Sequence, residues 1–251
     1  ILIGDYRQLP PVGDGANINW FNHSVVHYLA NGNRCELTER QRYDLMLWNR
    51  LEDLWENNDF SMLENVEDWT IDDLLASTNI CYRNKTVKHI NHLCMEKVRP
   101  SSARFVKYNI PKDINGNQMN EPAKYHQDAY VYAGMPLIMF ITTKEKNAEE
   151  HKKFMKNEAV RCIEVSDTTF TITNDKDVET YDIKDFHKKV VVGYATTIHK
   201  SQGDTVEGKV NIFDAEFMLS DWFSKNSGQI NIKKALYTAL SRAKSFDAIK
   251  I

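Results

Sequence analysis

The chain has 251 residues, 42% of them hydrophobic and 27% charged, which suits a globular protein with one large domain or two modest ones. No apolar run approaches membrane-spanning length and no signal-peptide pattern opens the chain, so no membrane-spanning helix is expected within these residues. The formal net charge of −3 excludes gripping nucleic acid by bulk electrostatics alone; any such contact must sit in a local cleft.

In chain order, residues 1–3 predict a short buried strand, and Gly4 to Val12 a loop in which Pro10 and Pro11 forbid helix. The abrupt apolar ends, Ile1-Leu2-Ile3 and Ile249-Lys250-Ile251, suggest strands cut from a longer protein. Over 36–57, Leu45, Leu47, Trp48, Leu51, Leu54 and Trp55 give an amphipathic helix whose apolar face is core. A short helix over 70–76, a strand over 78–82 and a helix over 86–98 form a βα unit, which points to a parallel sheet.

Residues 100–130 are rich in Pro, Asn, Gly and Lys and read as a loop-rich insertion. Short segments at Leu137–Thr143, Ala159–Val165, Thr168–Thr173 and Glu179–Ile183 predict a small antiparallel barrel. Val190–Tyr194 is a continuous apolar strand of buried type, and Val210–Phe213 another. A helix over 232–243 and a strand over 247–251 complete an α/β sheet interrupted by a β-rich lobe.

Cys35, Cys81, Cys94 and Cys162 are scattered with no CxxC pair, which fits a reduced, intracellular setting. His89, His92 and Cys94 read as ordinary helical residues in preference to a zinc site. The sequons at Asn22 and Asn84 mean little without a secretory signal.

Four strings carry chemistry. Gly4-Asp5-Tyr6-Arg7-Gln8-Leu9-Pro10-Pro11-Val12 places an acid and an amide at the carboxyl edge of a strand, where open α/β sheets bind ligands. Gln8 can both donate and accept, as needed to read a terminal phosphate or position an attacking water. In Leu37-Thr38-Glu39-Arg40-Gln41-Arg42, Arg42 is a candidate phosphate contact and Arg40 a solvated neighbour. In Tyr194-Ala195-Thr196-Thr197-Ile198-His199-Lys200-Ser201-Gln202-Gly203 a buried strand enters a helix start lined with donors. Thr197, His199, Lys200 and Ser201 suit phosphate oxygens without demanding a particular base. Tyr237-Thr238-Ala239-Leu240-Ser241-Arg242-Ala243-Lys244 lies on a helix, and the Arg242 guanidinium suits the charge that develops in phosphoryl transfer.

One decoy is set aside. Gly203 to Lys209 reads GxxxxGK, but Val210 replaces the magnesium-binding hydroxyl and a strand follows in place of a helix. Trp222 and Phe223 are candidates for stacking on bases or for burial against the sheet.

Together the ordered strings resemble superfamily 1B DNA helicases, the group of PIF-type, RecD and Dda enzymes: GDYRQLPPV is similar to motif III, LTERQR to motif IV, YATTIHKSQG to motif V and YTALSRAK to motif VI. Gly134-Met135-Pro136-Leu137-Ile138-Met139 with Lys156-Asn157-Glu158 resembles the family's inserted-barrel stretch, except that Glu158 stands where Gly is usual. The resemblance implies a RecA-like second motor domain with an inserted small β-barrel. Residues 1–33 would end the first motor domain and its linker, 34–100 and 189–251 would form the second, and 101–188 the lobe.

It also implies roles. Gln8 would link the γ-phosphate to DNA binding, and Arg42 and Arg242 would reach that phosphate. Gly4, Asp5, Gly203 and Glu207 would lie near the nucleotide, and Thr197, His199, Lys200 and Ser201 along single-stranded DNA. ATP and Mg2+ would be held mainly by a Walker A loop and DE box in an N-terminal RecA-like domain upstream of Ile1, so this part alone would be inactive. The expected function is 5′ to 3′ translocation in replication, repair or recombination, with replication proteins as possible partners. The alternative is a non-catalytic single-stranded DNA-binding or replication-scaffold module.

Overall fold

The computed structural model describes residues 4–9, 22–33, 35, 41–63, 68–110, 125–144, 152–221, 224–225 and 229–251. The expected first strand, Pro10–Val12, the Leu37–Arg40 part of the second string, and Trp222 with Phe223 lie outside the described residues. The chain divides into one compact unit of residues 1–68, 77–82 and 197–251, and another of 69–76 and 83–196.

The first unit is built on parallel strands Thr78–Cys81, Val210–Phe213 and Ile249–Lys250, with Ile80 facing Ile212 and Val210 facing Ile249 in register. Near-continuous apolar runs are what a sheet covered on both faces requires. One polar pair interrupts them: Asn211 Nδ2 donates to Asn79 Oδ1 at 2.9 Å, and both residues are buried. These two also face each other in register, so a one-residue slip would separate them.

The helix Gln229–Leu240 buries Ile232, Ala235, Leu236, Ala239 and Leu240, the three-and-four spacing of a single helical face. The helix Leu45–Glu52 and its π-helical continuation Asp53–Asn57 bury Leu47, Leu51 and Leu54 in the same core. The helix expected over 36–57 therefore begins at Leu45, and Leu45 itself is exposed. The physical stop is Asp44, whose Oδ1 accepts from the Leu47 N–H at 2.7 Å and caps the helix. The helix expected over 232–243 ends at Leu240, so Arg242 lies just beyond a helix and not on it.

The second unit contains a five-stranded antiparallel sheet in the order Val190–Val192, Pro136–Met139, Ala159–Val165, Thr169–Thr173, Val178–Asp182. Among the described residues its two outer strands do not pair with each other, so the closure expected of a barrel is not seen among them. Val190–Val192 corrects another expectation. It belongs to this sheet, antiparallel to Pro136–Met139, and not to the parallel one. A fully apolar run reports burial on both sides, which Val190, Val191 and Val192 have, and not strand direction.

Gly193 follows because the two backbones nearly touch: a Cβ there would lie 2.9 Å from the Leu137 carbonyl carbon. Asn91, buried in the helix Asn84–Val98, donates to the Val192 carbonyl at 3.3 Å and accepts from the Ala195 N–H at 2.9 Å, holding the chain through this bend. On the same helix Cys94 is buried, with its thiol pushed up to about 11 by burial, while His89 and His92 are exposed. The stretch expected to be loop-rich also contains a ladder, Arg104–Val106 against Ala129–Val131. Among the described residues no helix is long and apolar enough to cross a membrane.

Candidate functional site

Residues 4–9, Arg42, 197–203 and 237–244 belong to the first unit and are joined there by hydrogen bonds between segments remote in sequence. Asp5 organises the first. Its Oδ1 accepts from the Arg7 N–H at 3.0 Å, its Oδ2 accepts from Gln8 Nε2 at 3.0 Å, and its carbonyl accepts from the Gln8 N–H at 3.2 Å. Short polar side chains that bond forward along their own backbone make such turns. Leu9 then anchors the loop: its N–H donates to Thr238 Oγ1 at 2.9 Å, and its carbonyl accepts from Gln202 Nε2 at 3.2 Å. The first string is thereby tied to the third and the fourth.

Arg7, unremarked in the sequence, fixes the loop from its other side. Its Nη1 lies 2.5 Å from Glu52 Oε1, and its guanidinium lies 5.6 Å from the centroid of Trp55. Trp55 meets Tyr6 and Tyr237 edge-on at 5.8 and 6.1 Å.

Arg242 is fully buried. Nε donates to the Thr238 carbonyl at 2.9 Å and Nη2 to Ser241 Oγ at 2.8 Å. Nη1 donates to the carbonyls of Asp204 at 2.8 Å and Ser201 at 3.3 Å. Four of the five N–H donors of a guanidinium are thus engaged, all by neutral acceptors. Arg42 is exposed beside it, donating from Nη1 to the Ser241 carbonyl at 3.4 Å. Burial, and behind it the like charge of Arg42, push the Arg242 guanidinium below its ordinary value; Asp204 and Asp5 act in the opposite sense. Arg42 and Asp5 are therefore each within electrostatic reach of Arg242. Two guanidiniums side by side, with no carboxylate ion-paired to either among the described residues, make a place that favours an anion.

The third string splits into two pairs. Thr197 caps the short helix Ile198–Ser201, its Oγ1 accepting from the Lys200 N–H at 3.4 Å, and Ser201 Oγ donates to the Ile198 carbonyl at 3.0 Å. Both residues are buried, so in this arrangement their hydroxyls shape the turn. His199 is exposed, 6.3 Å from the ring of Tyr82, and Lys200 is half-buried. Gly203 is in the left-handed region at φ +98°, a conformation that favours glycine. The Glu207 carboxylate pairs with Lys244 Nζ. Gly4 and Asp5 are exposed. Beyond Gly203 the chain passes directly into the strand Val210–Phe213, so the GxxxxGK string joins a turn to a strand.

The charged groups brought together here are cationic, with Arg42 the exposed one and Arg242 already bonded to neutral acceptors. They do not fit a metal ion: among the described residues no three His, Cys, Asp or Glu side chains gather as ligands, and Asp5 is occupied by Arg7 and Gln8.

No protein-family model and no curated protein matches the sequence. Solved structures do. The Pif1 helicase from Bacteroides, in complex with ADP-AlF3 and single-stranded DNA, superposes with a TM-score of 0.62 at 17% identity over 98% of this chain and 60% of that one. The Pif1 helicase from Candida albicans gives a TM-score of 0.61 at 14% identity, over 98% of this chain and 62% of that one. A structure of two coordinating Pif1 helicases on forked double-stranded DNA gives 0.60 at 16%, over 98% and 58%. The chain shares their fold, a mixed α/β arrangement with a RecA-like parallel sheet, and spans about three-fifths of their length.

Proposed function

We propose that this chain is the nucleotide-sensing and DNA-gripping part of an ATP-driven DNA helicase that moves 5′ to 3′ along single-stranded DNA in replication, repair or recombination. The observation that carries the reading is that three distant strings are tied at one turn: Leu9, next to Gln8, bonds Thr238, Arg242 bonds the same Thr238, and Arg42 bonds the Ser241 carbonyl. Convergence of this kind has an evident use if a neighbouring RecA-like domain, carrying the Walker A loop and the magnesium carboxylates, presents a triphosphate to it. When bound, ATP with Mg2+ supplies the phosphoryl group that is transferred to water. This chain's residues then act on it by position and charge. Arg42, the exposed guanidinium, neutralises terminal phosphate oxygens. Arg242 adds the second positive charge. Gln8, oriented by Asp5, places a hydrogen bond at the same oxygens or at the attacking water.

Single-stranded DNA would lie along His199 and Lys200. Thr197 and Ser201 support that segment from within, and Gly203 and Glu207 border the nucleotide side. The overlap in fold with helicases solved with single-stranded DNA and with ADP-AlF3 supports the same reading.

The test is DNA-stimulated ATP hydrolysis by the parent chain. Arg42→Ala should lower turnover by roughly a thousandfold or more, as loss of a transition-state arginine does. The isolated 251-residue chain should bind oligothymidylate but hydrolyse no ATP. Replacing Lys200 with Ala should flatten the log–log salt dependence of that binding by about 0.7 per phosphate contact removed. Undiminished turnover in the Arg42 variant sinks the motor reading and leaves a DNA-binding or scaffold module derived from a helicase fold.

A further inference from the structure

Arg242 is placed where an arginine that only touches phosphate has no reason to be. Its guanidinium is fully buried, and its four hydrogen bonds go to three carbonyls and a hydroxyl. Two of those carbonyls, Ser201 and Asp204, bracket the turn that ends the helix carrying His199 and Lys200. The backbone holds the same turn, since the Val206 N–H donates to the Arg242 carbonyl at 2.9 Å. Between the two clamped carbonyls stands Gly203, at φ +98°, with open space around its Cα. A glycine there allows the turn to take up a second conformation with little steric cost.

On the other side, Ser241 holds both arginines: its hydroxyl accepts from Arg242 and its carbonyl accepts from Arg42. An anion drawn in by Arg42 therefore meets, one residue away, a guanidinium whose donors are already in use. Phosphate oxygens and the Ser201 and Asp204 carbonyls must compete for the same N–H groups. A charged acceptor outcompetes a neutral one by roughly a factor of two in hydrogen-bond strength.

We propose that Arg242 is a latch. With no anion present it clamps the Ser201–Asp204 turn, and a phosphate at Arg42 draws the guanidinium away, so that the turn relaxes about Gly203 and the hold of His199 and Lys200 on the strand changes. This rests on the reading of the site as a phosphate sensor and adds the means by which the sensor acts on the DNA segment. Because coupling between two sites is reciprocal, a strand bound at Lys200 must alter anion affinity by the same factor.

The experiment uses the 251-residue chain with pyrophosphate as the anion, reading binding by calorimetry and the turn by amide hydrogen exchange. A latch predicts that pyrophosphate speeds exchange across Ser201–Val206 several-fold. It also predicts that Ser241→Ala, which removes one acceptor from Arg242 and leaves both arginines in place, binds pyrophosphate several-fold more tightly, because the competing interaction is weaker. A static support predicts equal or weaker binding in that variant and unchanged or slowed exchange on the turn, and either result overturns the latch while leaving the phosphate site standing. Absence of pyrophosphate binding to the parent sequence, or binding that Arg42→Ala does not diminish, removes the phosphate site and the latch together.

Discussion

Both units close turns with local side-chain hydrogen bonds, and they differ in what their remote ones join. In the antiparallel unit most side-chain hydrogen bonds close a turn on itself: Ser166 with Thr169, Thr173 with Asp177, Asn174 with Asp177, Asp182 with Lys184, Lys188 with Asp185. In the parallel unit the telling bonds join segments remote in sequence. Leu9 meets Thr238, Gln202 meets Leu9, Arg42 meets Ser241, and Asp44 meets Phe246. Local bonds fix hairpins one at a time; the remote bonds of Asn91 in the antiparallel unit hold one bend of the chain in place. Remote bonds make the geometry of each loop depend on the others, which is what a site needs if events at one loop are to be felt at another.

This contrast predicts a gradient of mutational cost, steepest at the centre of the remote network. Arg242→Ala strands the Thr238, Ser201 and Asp204 carbonyls and opens a cavity, and should destabilise the first unit by about 3–5 kcal/mol in denaturant titration. A loss below about 1 kcal/mol would mean that the network is ornament, since one ordinary hydrogen bond is worth that much. Next, Gly193→Ala drives a Cβ to 2.9 Å from the Leu137 backbone, where no flexible side chain can yield. The expected cost is about 1–3 kcal/mol, as for overpacking a core. It marks a sensitive point of the antiparallel unit, a close backbone approach at the bend that Asn91 also holds. Third, Asp44→Ala removes the cap on the Leu47 N–H and the acceptor for the Phe246 N–H, and should cost about 1–2 kcal/mol by thermal or chemical denaturation.

How much of this was legible in the sequence follows the same division. The strings around Gln8, Arg42, Lys200 and Arg242 stood out, because phosphate chemistry demands particular residue types. The βα unit at 78–98 was readable from its apolar run and helical period, and both elements are present as Thr78–Cys81 and Asn84–Val98. The burial of Arg242 was not readable, because two of its four acceptors are backbone carbonyls 38 and 41 residues away and carbonyls carry no sequence signal. For the same reason nothing marked Thr197 and Ser201 as internal supports: a hydroxyl facing its own helix looks identical in sequence to one facing a ligand. Val190–Val192 was assigned to the wrong sheet because burial on two faces erases the alternation that would have revealed its antiparallel partners.

At the shallow end of the gradient stands Arg161→Ala. Arg161 Nη2 lies 2.9 Å from Asp175 Oδ1, a distance as short as those around Arg242. Both side chains are largely in water, however, at 57% and 80% exposure. Solvent screens such a pair, and holding two long side chains in one geometry costs entropy, so the expected change is at most about 0.5 kcal/mol. The pair bridges the Ala159–Val165 strand to the turn after Thr169–Thr173, neighbours in one hairpin that the backbone ladder already fixes. Measuring it beside Arg242→Ala, with the same denaturant and the same chain, separates two explanations of the gradient. If both arginines cost the same, bond length and charge decide the energy and the reach of a contact along the chain is irrelevant. If they differ several-fold, burial and the joining of remote segments decide it, and the polar network of the parallel unit is what sets its stability as well as its chemistry.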